Sequence, residues 1–399
     1  MLNKFLISFC IGLCFPVFLC SQDSLPGTFL FAGVKLVRLQ NAYHAGELRK
    51  SVPVLKLIRE AERALKMKPV SVVEKLQTPP SGNKHDYTSF GVYWWPDSSK
   101  PDGLPYIQRD GVRNPKVKEF ANKENLNALI SAVSNLSLAW YITGEPGYAE
   151  HAELMLRTWF IDKKTRMNAN LNYAGYIPGK TEGGKSGIID THRMPYLIDA
   201  LVLLKSSATW SKRDQQEIEK WIEEYFTWLT TAKNGIAEGN SKNNHGTWYD
   251  VQVLSMALFL NKTEFAHKIA IEAKAKRVIA EIEPTGEQPM ELKRTNSWGY
   301  SNFNLLALFE LSLLAEHTGE NLWQFEQEGR SIRKALDYVL SFAKDTTAWK
   351  NRQISGFRMT DIYPLLVLAE QKFAEPAYGA LRKEIFSSSM EKHSFNVLF

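Results

Sequence analysis

The chain has 399 residues, of which 44% are hydrophobic, 23% charged and 12% aromatic, with 11 Trp. This balance excludes a disordered or collagen-like polymer and is enough for one large core or two. A net charge of +6 at pH 7 and a pI of about 8.9 favour polyanionic partners. No Lys/Arg-rich run, zinc-finger spacing or RNA-binding signature accompanies that charge, which argues against nucleic acid.

Residues 1–21 read as a signal peptide. Lys4 gives the positive start, and 5–19 form an apolar stretch too short for a comfortable membrane span, with cleavage expected near 20–22. A lipoprotein box at Cys20 is only partly met: Val17 fills its leading place, but Leu19 stands where a small residue is usual. Lipid anchoring at Cys20 is therefore not favoured, and a secreted or periplasmic protein without a membrane span is expected. Cys10, Cys14 and Cys20 all lie in this leader. Residues 22–399, expected to form a single domain, then have no disulfide framework, thiol nucleophile or Cys-ligated metal.

Apolar residues at helical spacing (Val54, Leu57, Ile58, Ala61, Leu65) predict a helix over 52–66. A long irregular stretch follows over 69–115, rich in Pro, Gly, Asp and aromatics, and a loop of that length is usually functional. From residue 125 the pattern is helical almost to the end, with helices expected at 125–142, 147–160, 192–205, 211–232, 247–260, 263–282, 301–317, 328–344 and 359–372. A Gly- and Asn-rich loop interrupts it at 163–189. No run of strands is expected.

The helices come in pairs, and pairs beginning near His192, Thr247 and Ser301 are spaced by one helical hairpin. Their first members (MPYLIDALVLL, VQVLSMALFL, FNLLALFELSLLA) are apolar nearly all round, as an inner ring buried on both sides would be. Second members such as SKRDQQEIEKWIEEYFTWL are amphipathic, as suits an outer ring. The expected fold is all-α: an incomplete (α/α)6–7 toroid of helical hairpins with a long aromatic lid loop.

Three polar clusters precede the inner helices: Asp190-Thr191-His192-Arg193, then Asn243-Asn244-His245-Gly246-Thr247-Trp248, then Arg294-Thr295-Asn296-Ser297-Trp298-Gly299-Tyr300. Parallel inner helices would bring all three to one mouth, where free N–H groups and the helix dipoles suit carboxylate ligands. Singly, each has a plain reading: His192 as an ordinary first-turn residue, Asn243 and Asn244 as helix caps, Arg294 as a surface ion pair. Together they form a His/Asn/Arg/Tyr set without an obvious acidic pair.

That set fits elimination from a 4-linked uronic acid. Removing the C5 proton beside a carboxylate requires a neutraliser, a role for Asn and His acting like an oxyanion hole. It also requires a base at C5 and an acid at O4. Tyr suits both tasks if a cation such as Arg294 lowers its pKa. Where the C5 proton and O4 lie on the same side, as in mannuronate, one Tyr serves as base and acid in turn. Where they lie on opposite faces, His245 or His192 would have to be the base.

NNHGTWYDVQ and ELKRTNSWGY resemble the Asn-His and Arg-to-Tyr motifs of the alginate lyase superfamily with α/α toroid folds. The loop SFGVYWWPDSSKPDGLPYIQRDGVRNP resembles the aromatic lid of a branch similar to polysaccharide lyase family 38, which acts on alginate and glucuronan and is more distantly related to family 5. The resemblance spans roughly 50–370. It implies that Asn244 and His245 neutralise the substrate carboxylate, that Tyr300 is the catalytic base and acid, that Arg294 tunes it, and that His192 supports them. The Arg-to-Tyr interval here is shorter than is usual in family 5, so substrate preference does not carry over from that family. In the lid, Tyr93, Trp94 and Trp95 are candidates for stacking on sugars, and Arg109 and Arg113 for binding carboxylates. Arg193, Trp248 and Trp298, beside the catalytic motifs, are further substrate-binding candidates. The implied partner is an anionic polysaccharide, and no cofactor or metal is called for, since no His-Glu-x-x-His motif occurs.

Two other readings stay open. An inverting hydrolase on the same fold would need a carboxylate pair, drawn from Asp190, Asp250, Glu287 and Glu291. A non-catalytic polysaccharide-binding protein would need neither Tyr300 nor His245.

Overall fold

The computed structural model describes residues 25–48, 50–386 and 396; the expected signal peptide and its cysteines lie outside them. In chain order the α-helices are α1 (Gly33–His44), α2 (Val52–Ala64), α3 (Asn122–Thr143), α4 (Pro146–Leu156), α5 (Met194–Leu204), α6 (Lys212–Thr231), α7 (Lys233–Gly239), α8 (Asn244–Phe259), α9 (Thr263–Ala273), α10 (Pro289–Leu292), α11 (Ser297–Glu316), α12 (Ile332–Leu340), α13 (Tyr363–Lys372) and α14 (Pro376–Ile385). The strands are β1 (Thr88–Phe90), β2 (Trp94–Trp95), β3 (Ile107–Gln108) and β4 (Tyr173–Tyr176).

The inner ring is built from helices with no polar face. α8 is buried at every position from Gly246 to Ala257, and α11 is enclosed almost as fully. Such helices gain nothing from facing water and pack on both sides. Accordingly α3 packs against α5, α5 against α8, α8 against α11 and α11 against α13. The outer helices bury one stripe each. In α6 that stripe is Ile218, Trp221, Ile222, Tyr225, Phe226 and Leu229, at the i, i+3/i+4 spacing of one face. A capping box between Ser211 and Asp214 starts α6. The outer helices α4, α9, α12 and α14 lie against α3, α8, α11 and α13 respectively. The fold is the expected helical toroid.

Several boundaries differ from the sequence reading. α8 and α11 begin three and four residues earlier than periodicity suggested, so that the NNH and SWGY motifs lie in or at their first turns. α4 ends in a π-helical turn over Arg157–Ile161, and α9 in another over Lys274–Ile279. α1, α7, α10 and α14 were not anticipated. Each expected loop also supplies strand. β1 pairs in parallel with β4, joining the lid region to the 163–189 loop, and β2 pairs with β3 to form a short hairpin within the lid. Strands of two to four residues leave no alternation long enough to read in advance.

The N-terminal segment is held by one carboxylate. Asp199 of α5 accepts hydrogen bonds from the backbone N–H groups of Phe29, Leu30 and Phe31 at 2.7–2.8 Å.

Candidate active site

α8 carries the first half of the site. Its opening turn is fixed from behind by Arg277, buried on the outer layer. Arg277 donates to Asp250 at 2.6 Å and to the backbone oxygens of Ser241 and Gly239 at 2.7 Å. Gly246 is obligatory in this arrangement, because a Cβ there would lie 2.3 Å from Arg277 Nη1 and 2.0 Å from Ser241 O. Glu291 of α10 holds Asn244, accepting from its backbone N–H and from Nδ2 at 2.7 Å each. One side-chain N–H of Asn244 is therefore committed, leaving the other for a ligand. Neither Asn243 nor Asn244 caps α8 through its side chain. Both line a cavity of about 510 Å³, and their Oδ1 atoms have no hydrogen-bond partner.

His245 lines the same cavity. Its Nδ1 lies 2.5 Å from Oε1 of Glu238, a buried carboxylate on α7. A carboxylate can only accept, so Nδ1 carries the proton and Nε2 is the nitrogen offered to the cavity. His192 is held similarly. Its Nδ1 donates to Ile189 O at 2.9 Å, and its ring meets Trp248 and Phe303 edge-on, with centroids 5.0 and 5.5 Å away. Burial pushes His192 down to about 4, so it is neutral at pH 7 with a free lone pair on Nε2.

The second half of the site comes from α11 and the lid. Tyr300 donates to the Tyr93 hydroxyl at 2.9 Å. The Arg294 guanidinium stacks on the Tyr300 ring, 3.6 Å from its centroid. Arg294 is oriented by Asp110, whose Oδ1 accepts from Nε and Nη2 at 3.0 and 2.5 Å. Oδ2 of Asp110 accepts from the Thr295 N–H and hydroxyl at 2.8 and 2.9 Å. The lid comes so close here that Gly111, at φ 76°, could not carry a side chain: a Cβ would lie 2.3 Å from Thr295 Oγ1.

Arg294 acts to lower the Tyr300 pKa, as expected, but it does not set the net shift. Burial raises the pKa, and that effect exceeds the opposing influence of Arg294, so the phenol stays well above its ordinary value. The cation stands against the ring face, and the hydroxyl meets another phenol.

The remaining candidates divide by position. Tyr93, Trp94 and Arg113 line the cavity. Trp94 has Lys180 over its face at 4.3 Å, and Arg113 pairs with Glu124 at 2.8 Å. Trp95 and Arg109 stack on each other at 5.4 Å outside it. Trp298 is 0% exposed, set edge-on against Trp349 and Phe357, and Trp248 is 2% exposed beneath His192 and Phe303. Both border cavities, but burial of this degree favours packing over an open stacking platform for either indole. Arg193 lies beyond His192, outside this cavity.

Four contributors escaped the sequence reading: Glu238, Asp110, Lys123 and Arg358. Lys123 lines the cavity and pairs with buried Asp190 at 2.6 Å. Burial would discharge this amine, but Asp190 outweighs it and holds the pKa above the ordinary value. Arg358 sits in an adjoining cavity of about 360 Å³ that shares Tyr93, Tyr300 and Phe303 with the first. Tyr300 thus stands between two contiguous spaces.

The carboxylates that a hydrolase would require are all engaged. Asp190 binds Lys123, Tyr87 and Ser89; Asp250 binds Arg277; Glu291 binds Asn244; and Glu287 accepts from Thr285 and Tyr338 away from the cavity. Among the described residues no group of three or more His, Cys, Asp or Glu could hold a metal ion, and no helix is long and apolar enough to cross a membrane.

Comparison with known proteins agrees with this geometry. The family model described as alginate lyase matches residues 71–349. A crystal structure of an alginate lyase from Bacteroides ovatus superposes with a TM-score of 0.89 at 34% identity, covering 94% of this chain and 99% of that one. The chain belongs to the alginate lyase family. It is a polysaccharide lyase, and Tyr300, His245 and Arg294 all fall inside the matched span. Alginate lyase A1-III from Sphingomonas species A1 shares the fold at 14% identity, with a TM-score of 0.53 over 80% of this chain and 87% of that one. A variant of alginate lyase A1-III complexed with a tetrasaccharide gives a TM-score of 0.58 at 14% identity, over 90% and 92% of the two chains. No curated protein matches the chain in sequence.

Proposed function

We propose that this lyase cleaves alginate by β-elimination, with Tyr300 at the scissile linkage and Asn243, Asn244 and His245 around the substrate carboxylate. The observation that carries the reading is the placement of the Tyr300 hydroxyl in a cavity shared with a histidine whose Nδ1 is fixed by a buried carboxylate. The adjoining cavity beyond Tyr300 supports room for sugar on both sides of the cleaved bond.

The steps follow from the charges. The uronate carboxylate is received by the side-chain amides of Asn243 and Asn244 and by Nε2 of His245, protonated in the complex against Glu238. These donors stabilise the charge that spreads onto the carboxylate as the C5–H bond breaks. Burial keeps Tyr300 as the neutral phenol, so a proton is in place to pass to O4 as the C4–O4 bond breaks. In mannuronate the C5 proton lies on the same side as O4. Tyr300 then takes the C5 proton as its own passes on, with the Tyr93 hydroxyl bonded to it and Arg294 against its ring easing the transient negative charge. In guluronate, the C5 epimer, the proton lies on the opposite face, and His192 with its free Nε2 is the candidate base. Products are a 4,5-unsaturated uronate end and a new saccharide end. Glucuronan is a second candidate substrate, from the resemblance of the lid to that of family 38. The reading calls for no metal or cofactor.

Residues 1–21 would act as a secretion signal, leaving 22–399 as one catalytic domain that meets its polymer outside the cytoplasm. The direct test is ultraviolet absorbance during incubation with polymannuronate, polyguluronate and glucuronan. Growth of the conjugated double bond supports the reading, and new reducing ends without it would overturn it.

A further inference from the structure

A third cavity, of about 400 Å³, lies between the inner helices α3, α5, α8 and α11. It falls within the roughly 300–1,000 Å³ typical of small-ligand sites. His192 and Phe303 line both this cavity and the catalytic one, so the two adjoin at these rings. Arg193 projects from the start of α5. Its Nη1 donates to Ser131 Oγ at 2.6 Å, and its guanidinium lies 5.7 Å from the Tyr196 ring centroid. Arg193 has no carboxylate within ion-pair distance among the described residues. The carboxyl group deep in the cavity, Glu310, accepts from the Tyr196 hydroxyl at 2.7 Å and is pushed up to about 8 by burial, so it is mostly uncharged at pH 7. Glu60 is the other carboxylate of the lining.

A half-buried guanidinium without a counter-ion is costly, and an anionic ligand relieves that cost. The rest of the lining suits a sugar. Ser134 and Asn135 offer hydrogen bonds to hydroxyls, while Phe303 and Leu306 give an apolar wall for a ring face. We infer that this cavity is a further saccharide subsite, in which Arg193 anchors the carboxylate of a uronate residue next to the one being cleaved. The role as a subsite rests on the lyase reading above; binding of a uronate does not.

The test is calorimetric titration at pH 7 of the full chain and of Arg193→Ala and Arg193→Lys with D-mannuronate and, as the uncharged control, D-mannose. Mannuronate should bind and mannose should not. Arg193→Ala should weaken mannuronate binding about tenfold or more, the equivalent of one charged hydrogen bond. Arg193→Lys, which keeps the charge but loses the planar fork, should fall between. Arg193→Ala should also raise KM for oligomannuronates more than it lowers kcat. Equal binding of mannose, or unchanged mannuronate affinity in both variants, would overturn the inference. If the wild-type protein formed no unsaturated product yet bound mannuronate through Arg193, the lyase reading would fail and the uronate site would stand.

Discussion

Nδ1 of His245 lies 2.5 Å from Oε1 of Glu238, a carboxylate that is almost wholly buried. This pair decides which nitrogen of His245 the substrate meets. Glu238→Gln keeps the shape but removes the negative charge that faces Nδ1, so the ring loses its counter-ion when Nε2 must hold a proton for the substrate carboxylate. Such a change should lower kcat by about 10²-fold or more. The melting temperature should move little, and kinetics beside a thermal scan would check both. Wild-type kcat in this variant would remove Glu238 from the mechanism.

Tyr300→Phe removes only the hydroxyl. Turnover should fall by about 10²–10⁴-fold, the usual worth of a positioned proton donor or acceptor. Oligosaccharide affinity, measured by calorimetry, should stay close to that of the parent, because the ring and its stack with Arg294 remain. A large loss of affinity with modest loss of rate would instead make Tyr300 a binding residue.

Asp110 ties the lid to the catalytic cluster through Arg294 and Thr295. Asp110→Asn should release Arg294 from its fixed orientation and lower kcat/KM by roughly tenfold, since the ion pair that holds two Arg294 N–H groups on Oδ1 is lost. The lid over 89–115 should also become more susceptible to limited proteolysis. Unchanged kinetics with an unchanged digestion pattern would show that the lid is held elsewhere.

Trp298 and Trp94 should separate cleanly. Trp298→Ala should cost about 3–5 kcal/mol of stability, as expected for a large buried aromatic. Trp94→Ala should spare most of the stability and raise KM. A normal melting temperature for Trp298→Ala would contradict the buried placement.

Stability should depend on pH through Glu310. Its folded pKa, about 8, lies above the ordinary carboxylate value of about 4.3. Folding therefore favours the protonated form. That contribution is complete below the unfolded value and is lost as pH rises toward and through 8. Glu310→Gln mimics the protonated acid and should flatten the fall in melting temperature between pH 6 and 9, read by thermal scans across that range. An equally steep fall in the variant would place the alkaline weakness in other buried acids such as Asp199 or Glu281, both pushed up to about 7.

Much of the architecture was legible because inner helices such as α8 and α11 are apolar on every face, a pattern that only a ring buried on both sides explains. The convergence of the three polar clusters followed from the parallel course of those helices. Glu238 was not legible: it lies seven residues before His245 on a short separate helix, and no periodicity links the two. Asp110 was hidden for a related reason, since its partner is 184 residues away and only the folded lid brings them together. Trp248 and Trp298 misled because sequence adjacency to a motif does not reveal which way a helical side chain points. His245 and Tyr300 line the catalytic cavity, while Trp248, three residues after the first, and Trp298, two before the second, are buried.

The central claim is elimination at Tyr300, and the most direct measurement is ultraviolet absorbance of polymannuronate incubated with the wild-type protein and with Tyr300→Phe. The account predicts a steady rise from the 4,5-unsaturated ends with wild type and almost none with the variant. New reducing ends without that absorbance, or an equal rise with the variant, would contradict it.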